Sequence, residues 1–219
     1  MDCYSHCMNI ADAKRIMRGN FVGPEELGLV SSRLNIVLPK SVPAIPYDEK
    51  TLQALAKDHV LILGVARMAD GTPLTLNSLR DIFGVDPAKK EPCFYNQDWY
   101  VKEKFADKTT LKNKWYVIRK SVARETRGLR PDTLEAKLKK NEQFPSAILT
   151  AYTFFAYYYT HDGAMLWKND FIWCSDKDKN GDRIYTGRYI DPKGVNKNGF
   201  NVHRHLSIRP CYGVAVQLI

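Results

Sequence analysis

Three features of the sequence point to an α+β fold, with helices first and strands last. Early segments repeat apolar residues at helical spacing. A long apolar run around residue 150 carries helix start and stop signals. Beyond residue 168, β-branched and aromatic runs alternate with turn residues. Helices gathered early and strands late favour α+β over a parallel βαβ wind.

Taken in order, "MNIADAKRIMRGN" places Ile10, Ala13, Ile16 and Met17 on one helical face, and Gly19-Asn20 ends it. "GPEELGLVSSRLN" reads as a second helix, with Pro24 at its first position and Glu25 and Glu26 complementing the dipole. Three prolines then fall within eight residues of "VLPKSVPAIPYD", which makes a stiff connector over 38–48. The expected organisation is a helical appendage over 1–37, that connector, and a single body over 49–219. "TLQALAKDHV" is a helix leading into a buried strand, "VLILGVAR". Asp70-Gly71 marks a turn, and "TLNSLRDIFGVDP" is a helix closed by Gly84. "CFYNQDWYVKEKF" and "KNKWYVIRKSV" read as strands, and "RPDTLEAKLKKNEQ" as a polar helix or loop. "FPSAILTAYTFFAYYYTHDG" is the central apolar helix. "NDFIWCSD", "DRIYTGRYI", "FNVHRHLSIR" and "YGVAVQLI" form a late antiparallel sheet.

The composition is that of a soluble globular chain, with 44% apolar and 26% charged residues among 219. Neither low-complexity tracts nor repeats are present, which excludes disordered and solenoid classes. Cys3, Cys7, Cys93, Cys174 and Cys211 have no framework spacing, and Cys3 and Cys7 with His6 lack a second metal-binding pair. Reduced thiols imply a cytoplasmic setting. The N-terminus lacks the apolar core of a secretory signal. The apolar run at 144–160 is short of the about 20 residues a membrane span needs, so no membrane partner is expected.

The net charge of +9 is uneven. Between Val101 and Lys140 thirteen Lys or Arg stand against five Asp or Glu, an excess of eight. Lys112, Lys114, Arg119, Lys120, Arg124 and Arg127 are the candidates for binding nucleic-acid phosphates; the alternative is a solvated face. Tyr95, Trp99, Tyr100, Trp115, Tyr116, Trp167 and Trp173 accompany them, suited either to stacking on bases or sugars or to packing a core.

In "WCSDKDKNGDRIYTG", Asp176, Asp178, Asn180 and Asp182 alternate around Gly181, the front half of a calcium loop. Its twelfth position is Gly187 rather than Glu, and the flanks are strand-like. Asn180-Gly181 is equally a hairpin turn. No cofactor is expected beyond calcium in that loop. His203 and His205 share one face of a strand, where with Arg209 they suit a metal, a phosphate or a plain surface pair. No G-x-S-x-G, P-loop, dinucleotide or H-E-x-x-H motif occurs, and Cys93 stands without a catalytic partner.

The last 80 residues or so resemble C-type-lectin-like folds of the formylglycine-generating-enzyme and retroelement-variable-protein types. The matching stretches are Phe144-Pro145-Ser146 opening a helix, Trp173-Cys174-Ser175 on a strand, and Tyr212-Gly213-Val214 near the end. "WKND" at 167–170 approximates the lectin Trp-Asn-Asp motif. The two catalytic cysteines of the formylglycine-generating branch have no counterpart, so the resemblance implies a ligand-display scaffold and not that activity.

Three functions follow as expectations. The first is a non-catalytic ligand-binding protein on a lectin-like scaffold, using Trp173, Asp176, Asp178, Arg188 and Tyr189, with His203, His205 and Arg209 nearby. The second is a nucleic-acid-binding protein or nuclease using the basic segment for phosphates and His203, His205 and Arg209 for any chemistry. An assembly module docking through the N-terminal helices is a third.

Overall fold

Short-range signals set the helices. The computed structural model describes residues 8–88, 90–189, 199–204 and 207–219, with Tyr189 by its backbone alone. Helix α1 (Ile10–Met17) is capped by Asn9, whose side chain accepts from the Asp12 N–H. Helix α2 (Pro24–Leu34) starts on proline, and Glu26 reaches back to the Gly23 N–H. Asp48 caps α3 (Glu49–Leu55), and Thr75 with Ser78 caps α4 (Leu76–Phe83). Two short helices follow, α5 (Lys104–Asp107) and α6 (Pro131–Glu135). Ser146 caps α7 (Ala147–Thr160) through the Leu149 N–H.

Two sheets enclose α7. One is built from β1 (Phe21–Val22), β2 (His59–Leu63), β3 (Trp115–Arg119), β4 (Glu142–Gln143) and β9 (Gln217–Leu218), in the order β1-β2-β3-β9-β4. Only β1 and β2 run parallel in it. The other comprises β5 (Phe171–Lys177), β6 (Arg183–Tyr189), β7 (Gly199–His203) and β8 (Tyr212–Gly213), in the order β7-β6-β5-β8. Its three long strands are antiparallel, and β8 runs parallel to β5. With helices and two mixed sheets, the α+β class holds.

Helix α7 is apolar all round because it is covered all round. Its residues Ala147 to Ala156 are buried, and it packs on α2, α4 and strands of both sheets. Each large apolar side chain buried this way contributes about 1.5–3 kcal/mol. The period of two then divides β5 and β6 between two cores. Ile172, Cys174 and Ile184 join the main core. Phe171, Trp173 and Tyr185 turn to the other face, where with Tyr212, Leu134, Phe144 and Val214 they form a smaller aromatic core.

The structure departs from the sequence expectation in three places. "CFYNQDWYVKEKF" is not a strand: it holds one isolated bridge, Phe94 to Phe200, then turns and α5. Beyond the bridge, side chains anchor the stretch, with Trp99 Nε1 donating to Val202 O at 3.1 Å and Asn77 Nδ2 to Val101 O at 2.8 Å. "YGVAVQLI" is two strands, one in each sheet, because the carbonyls of Val214 and Val216 accept from Ala123 and Arg119 between them. Residues 8–37 and 49–219 also share one core, since β1 extends the larger sheet and Leu27, Val30 and Leu34 of α2 are buried in the main cluster. The proline stretch crosses the body, with Ile45 buried and Pro43 O accepting from Trp115 Nε1 at 2.8 Å.

Candidate functional site

The acidic stretch is the turn of the β5–β6 hairpin. Asp178 Oδ1 accepts from the Asn180 and Asp182 N–H groups, both at 2.9 Å, and its Oδ2 pairs with Arg204. That carboxylate is fully covered. Arg204 lies over the Trp99 ring at 4.5 Å, and the Lys179 N–H donates to Glu103 at 3.0 Å, so the turn is tied to the segment before α5. Asp176 points elsewhere, accepting from the Ala147 N–H at 2.6 Å beside the start of α7. Burial raises its pKa above the ordinary carboxylate value. For Asp178, burial pushes the same way, yet Arg204 and the turn amides bring its pKa below that value. Asp176, Asp178, Asn180 and Asp182 are therefore not gathered around one point. Among the described residues no group of three or more His, Cys, Asp and Glu side chains is placed to hold a metal ion.

Beside this hairpin lies a cleft of about 470 Å³. Trp173 from β5 contributes at its buried base, only 4% exposed. Lys177, Asp182 and Arg183 line it from the hairpin, and Arg130 and Asp132 from the start of α6. Arg183 is held on several sides: Nη2 pairs with Glu135, Nη1 reaches the Cys174 and Ser175 carbonyls at 3.4 Å, and the guanidinium lies 5.1 Å over the Phe144 ring. Two buried N–H groups of the lining, Trp173 Nε1 and Arg183 Nε, have no hydrogen-bond partner among the described residues. Groups of this kind take an oxygen acceptor from water or a ligand.

Of the expected ligand-binding residues, Trp173 lines this cleft, and so does Asp182 from the acidic turn. Asp178 and Arg188 are instead buried in ion pairs, Arg188 with Glu91 at 2.6 Å. Asp176 caps α7. Tyr189 pairs through its backbone with Gly199. His203 stacks on Tyr185 with ring centres 5.7 Å apart and lies 3.2 Å from Gln97. Arg209 is exposed. His205, Cys3, His6 and Cys7 lie outside the described residues. Lys177, Arg183, Arg130 and Asp132 were not selected from sequence; the usable signal was that Lys177 and Arg183 bracket the Asn180-Gly181 turn.

The basic residues are dispersed. Lys112 and Lys114 precede β3 and Arg119 and Lys120 end it, so the two pairs are separated by a five-residue strand, about 17 Å. Lys114 sits 4.9 Å over Tyr116, Arg119 pairs with Asp58 at 3.4 Å, and Lys120 donates to Asn20 at 2.8 Å. Arg127 grips Asp170 with two bonds of 2.6 and 2.7 Å. Arg124 is exposed. Tyr100, Trp115, Trp167 and Trp173 are core residues. Burial pushes the Cys93 and Cys174 thiols up to about 12, which leaves them unionised and poor nucleophiles at neutral pH.

No protein-family model, curated protein or solved structure matches this chain.

Proposed function

We propose that the chain is a non-catalytic ligand-binding protein on a lectin-like scaffold, taking a small, oxygen-rich ligand into the cleft beside Trp173. The observation that carries this reading is the pair of buried donors, Trp173 Nε1 and Arg183 Nε, which have no partner among the described residues and sit on residues lining one cavity. Its rim mixes cations, Lys177 and Arg130, with carboxylates, Asp132 and Asp182. Hydroxyl groups both donate and accept, so a sugar or sugar acid suits such a rim. The lectin-like reading is supported by the helix opened at Phe144-Pro145-Ser146 and by the late hairpins that carry the cleft.

The test is ligand-observed NMR of the protein against a panel of monosaccharides, disaccharides and sugar acids. At least one should bind, and Trp173→Phe, which keeps the ring packing but removes the donor, should weaken it about fivefold, the worth of one hydrogen bond. A panel without binders, or a variant that binds as the parent does, defeats the reading.

A second reading is nucleic-acid binding by the Val101–Lys140 segment. It is favoured by Lys112, Arg124, Lys137 and Lys140, which are exposed and, among the described residues, have no carboxylate partner. Affinity for duplex DNA or RNA should then fall linearly in log salt, with a slope of about 0.9 per phosphate contacted on DNA. No binding at low salt removes this reading.

A further inference from the structure

We infer that a second cleft, where the C-terminal ends of α1, α3 and α7 meet, binds a small anion carrying several phosphate charges. The cleft encloses about 720 Å³, within the range of small-molecule pockets. Arg15 and Arg18 enter it from the end of α1, Lys57 from just beyond α3, and Tyr157 and His161 from the end of α7. Among the described residues no Asp or Glu lines it. The nearest acid to these cations is Asp12, 3.2 Å from Arg15 on the exposed surface.

Cations at helix C-termini ordinarily serve the free carbonyls and the negative end of the dipole. Here other groups hold several carbonyls around the cleft. Lys14 O accepts from the Arg18 N–H, Arg18 O from the Phe21 N–H, and Ala56 O from Asn20 Nδ2 at 2.6 Å. The two ring nitrogens of His161 lie against Gly19 O and Tyr157 O. Asn20 is itself fixed by Lys120, which donates to its Oδ1 at 2.8 Å. Among the described residues the exposed side chains of Arg18 and Lys57 have neither a carboxylate nor a carbonyl partner. Their charge is left for something that enters the cleft.

The backbone adds a second observation. Arg18 has φ 51° and ψ −128°, a region that favours glycine. An arginine kept there is strained, and strain of this kind is retained where a side chain is needed in place. A guanidinium presents paired donors that match phosphate oxygens, and an ammonium adds a second charge, so a multiply charged phosphate fits this lining better than a single carboxylate. None of these residues belongs to the cleft beside Trp173, and the two sites stand or fall separately.

The test is isothermal titration of the full chain with inorganic tripolyphosphate at low ionic strength. One site per chain is expected. Arg18→Gly removes the guanidinium while relieving the backbone, so it should melt at or above the parent temperature yet bind about tenfold more weakly. Lys57→Gln should show a similar loss with unchanged melting, and Trp173→Phe should bind tripolyphosphate as the parent does. The inference is overturned if the parent shows no saturable binding, if several equivalent anions bind per chain, or if Arg18→Gly binds as tightly as the parent.

Discussion

Asp176 and Asp178, two residues apart on one hairpin, are held in environments that move their proton affinities in opposite directions. Asp178 has a lowered folded pKa, so its stabilisation is present above the unfolded carboxylate value of about 3.9 and is lost as pH falls through the folded one. Asp178→Asn should cost about 2–3 kcal/mol near pH 7, because Arg204 and the turn amides lose a charged acceptor. In urea titrations that gap should narrow as the pH is taken below about 3. Asp176 has a raised folded pKa, so whatever it contributes is greatest when protonated and declines as pH rises from its unfolded value through its folded one. Asp176→Asn, which keeps an acceptor for the Ala147 N–H, should match or exceed the parent near pH 7 and shift stability least in acid. Both carboxylates already have partners within the protein, so added calcium should leave the melting temperature unchanged, and a rise of several degrees would contradict the hairpin geometry.

At the scale of the element, β6 and the loop before β5 are the tightest fit. A methyl group on Gly187 would sit 2.0 Å from Asp170 O, a backbone atom that cannot swing aside. Gly187→Ala should therefore cost about 3 kcal/mol or more in denaturant unfolding. The Asp170 side chain is gripped by Arg127, and Arg127→Ala should cost about 1–2 kcal/mol, reduced by solvent at a partly exposed guanidinium. Arg124→Ala, an exposed change in the same basic segment, should leave stability where it was. This element level is also where the sequence was easiest to read. Ser146 and Gly163 bracket α7, and Asn180-Gly181 marks the β5–β6 turn, because caps and tight turns are decided by neighbours in the chain. "CFYNQDWYVKEKF" misleads for the opposite reason. Its aromatics are strand-like by type, but after the single bridge of Phe94 to β7 the chain turns away, and Trp99 packs against Tyr100 and Phe105.

Across the whole molecule, what escaped the sequence is what depends on distant partners. Phe21 and Val22 look like the tail of a helical appendage until Leu61 and Ile62 are placed beside them. Asp178 and Arg188 look like site residues until Arg204 and Glu91 neutralise them. Lys177 and Arg183 become cleft residues only when α6 approaches. The same distance shapes the larger sheet. β9 lies between β3 and β4, so Val117 pairs with Leu218, about a hundred residues further along, and β4 is joined to the sheet only through β9. During synthesis β3 waits with one edge unpaired until that late segment has emerged. Pairings of such long sequence separation slow folding toward the millisecond-to-second range, and an open apolar edge in the interval invites association between chains. The yield of refolding should consequently fall as protein concentration rises, even for a chain whose finished fold is stable.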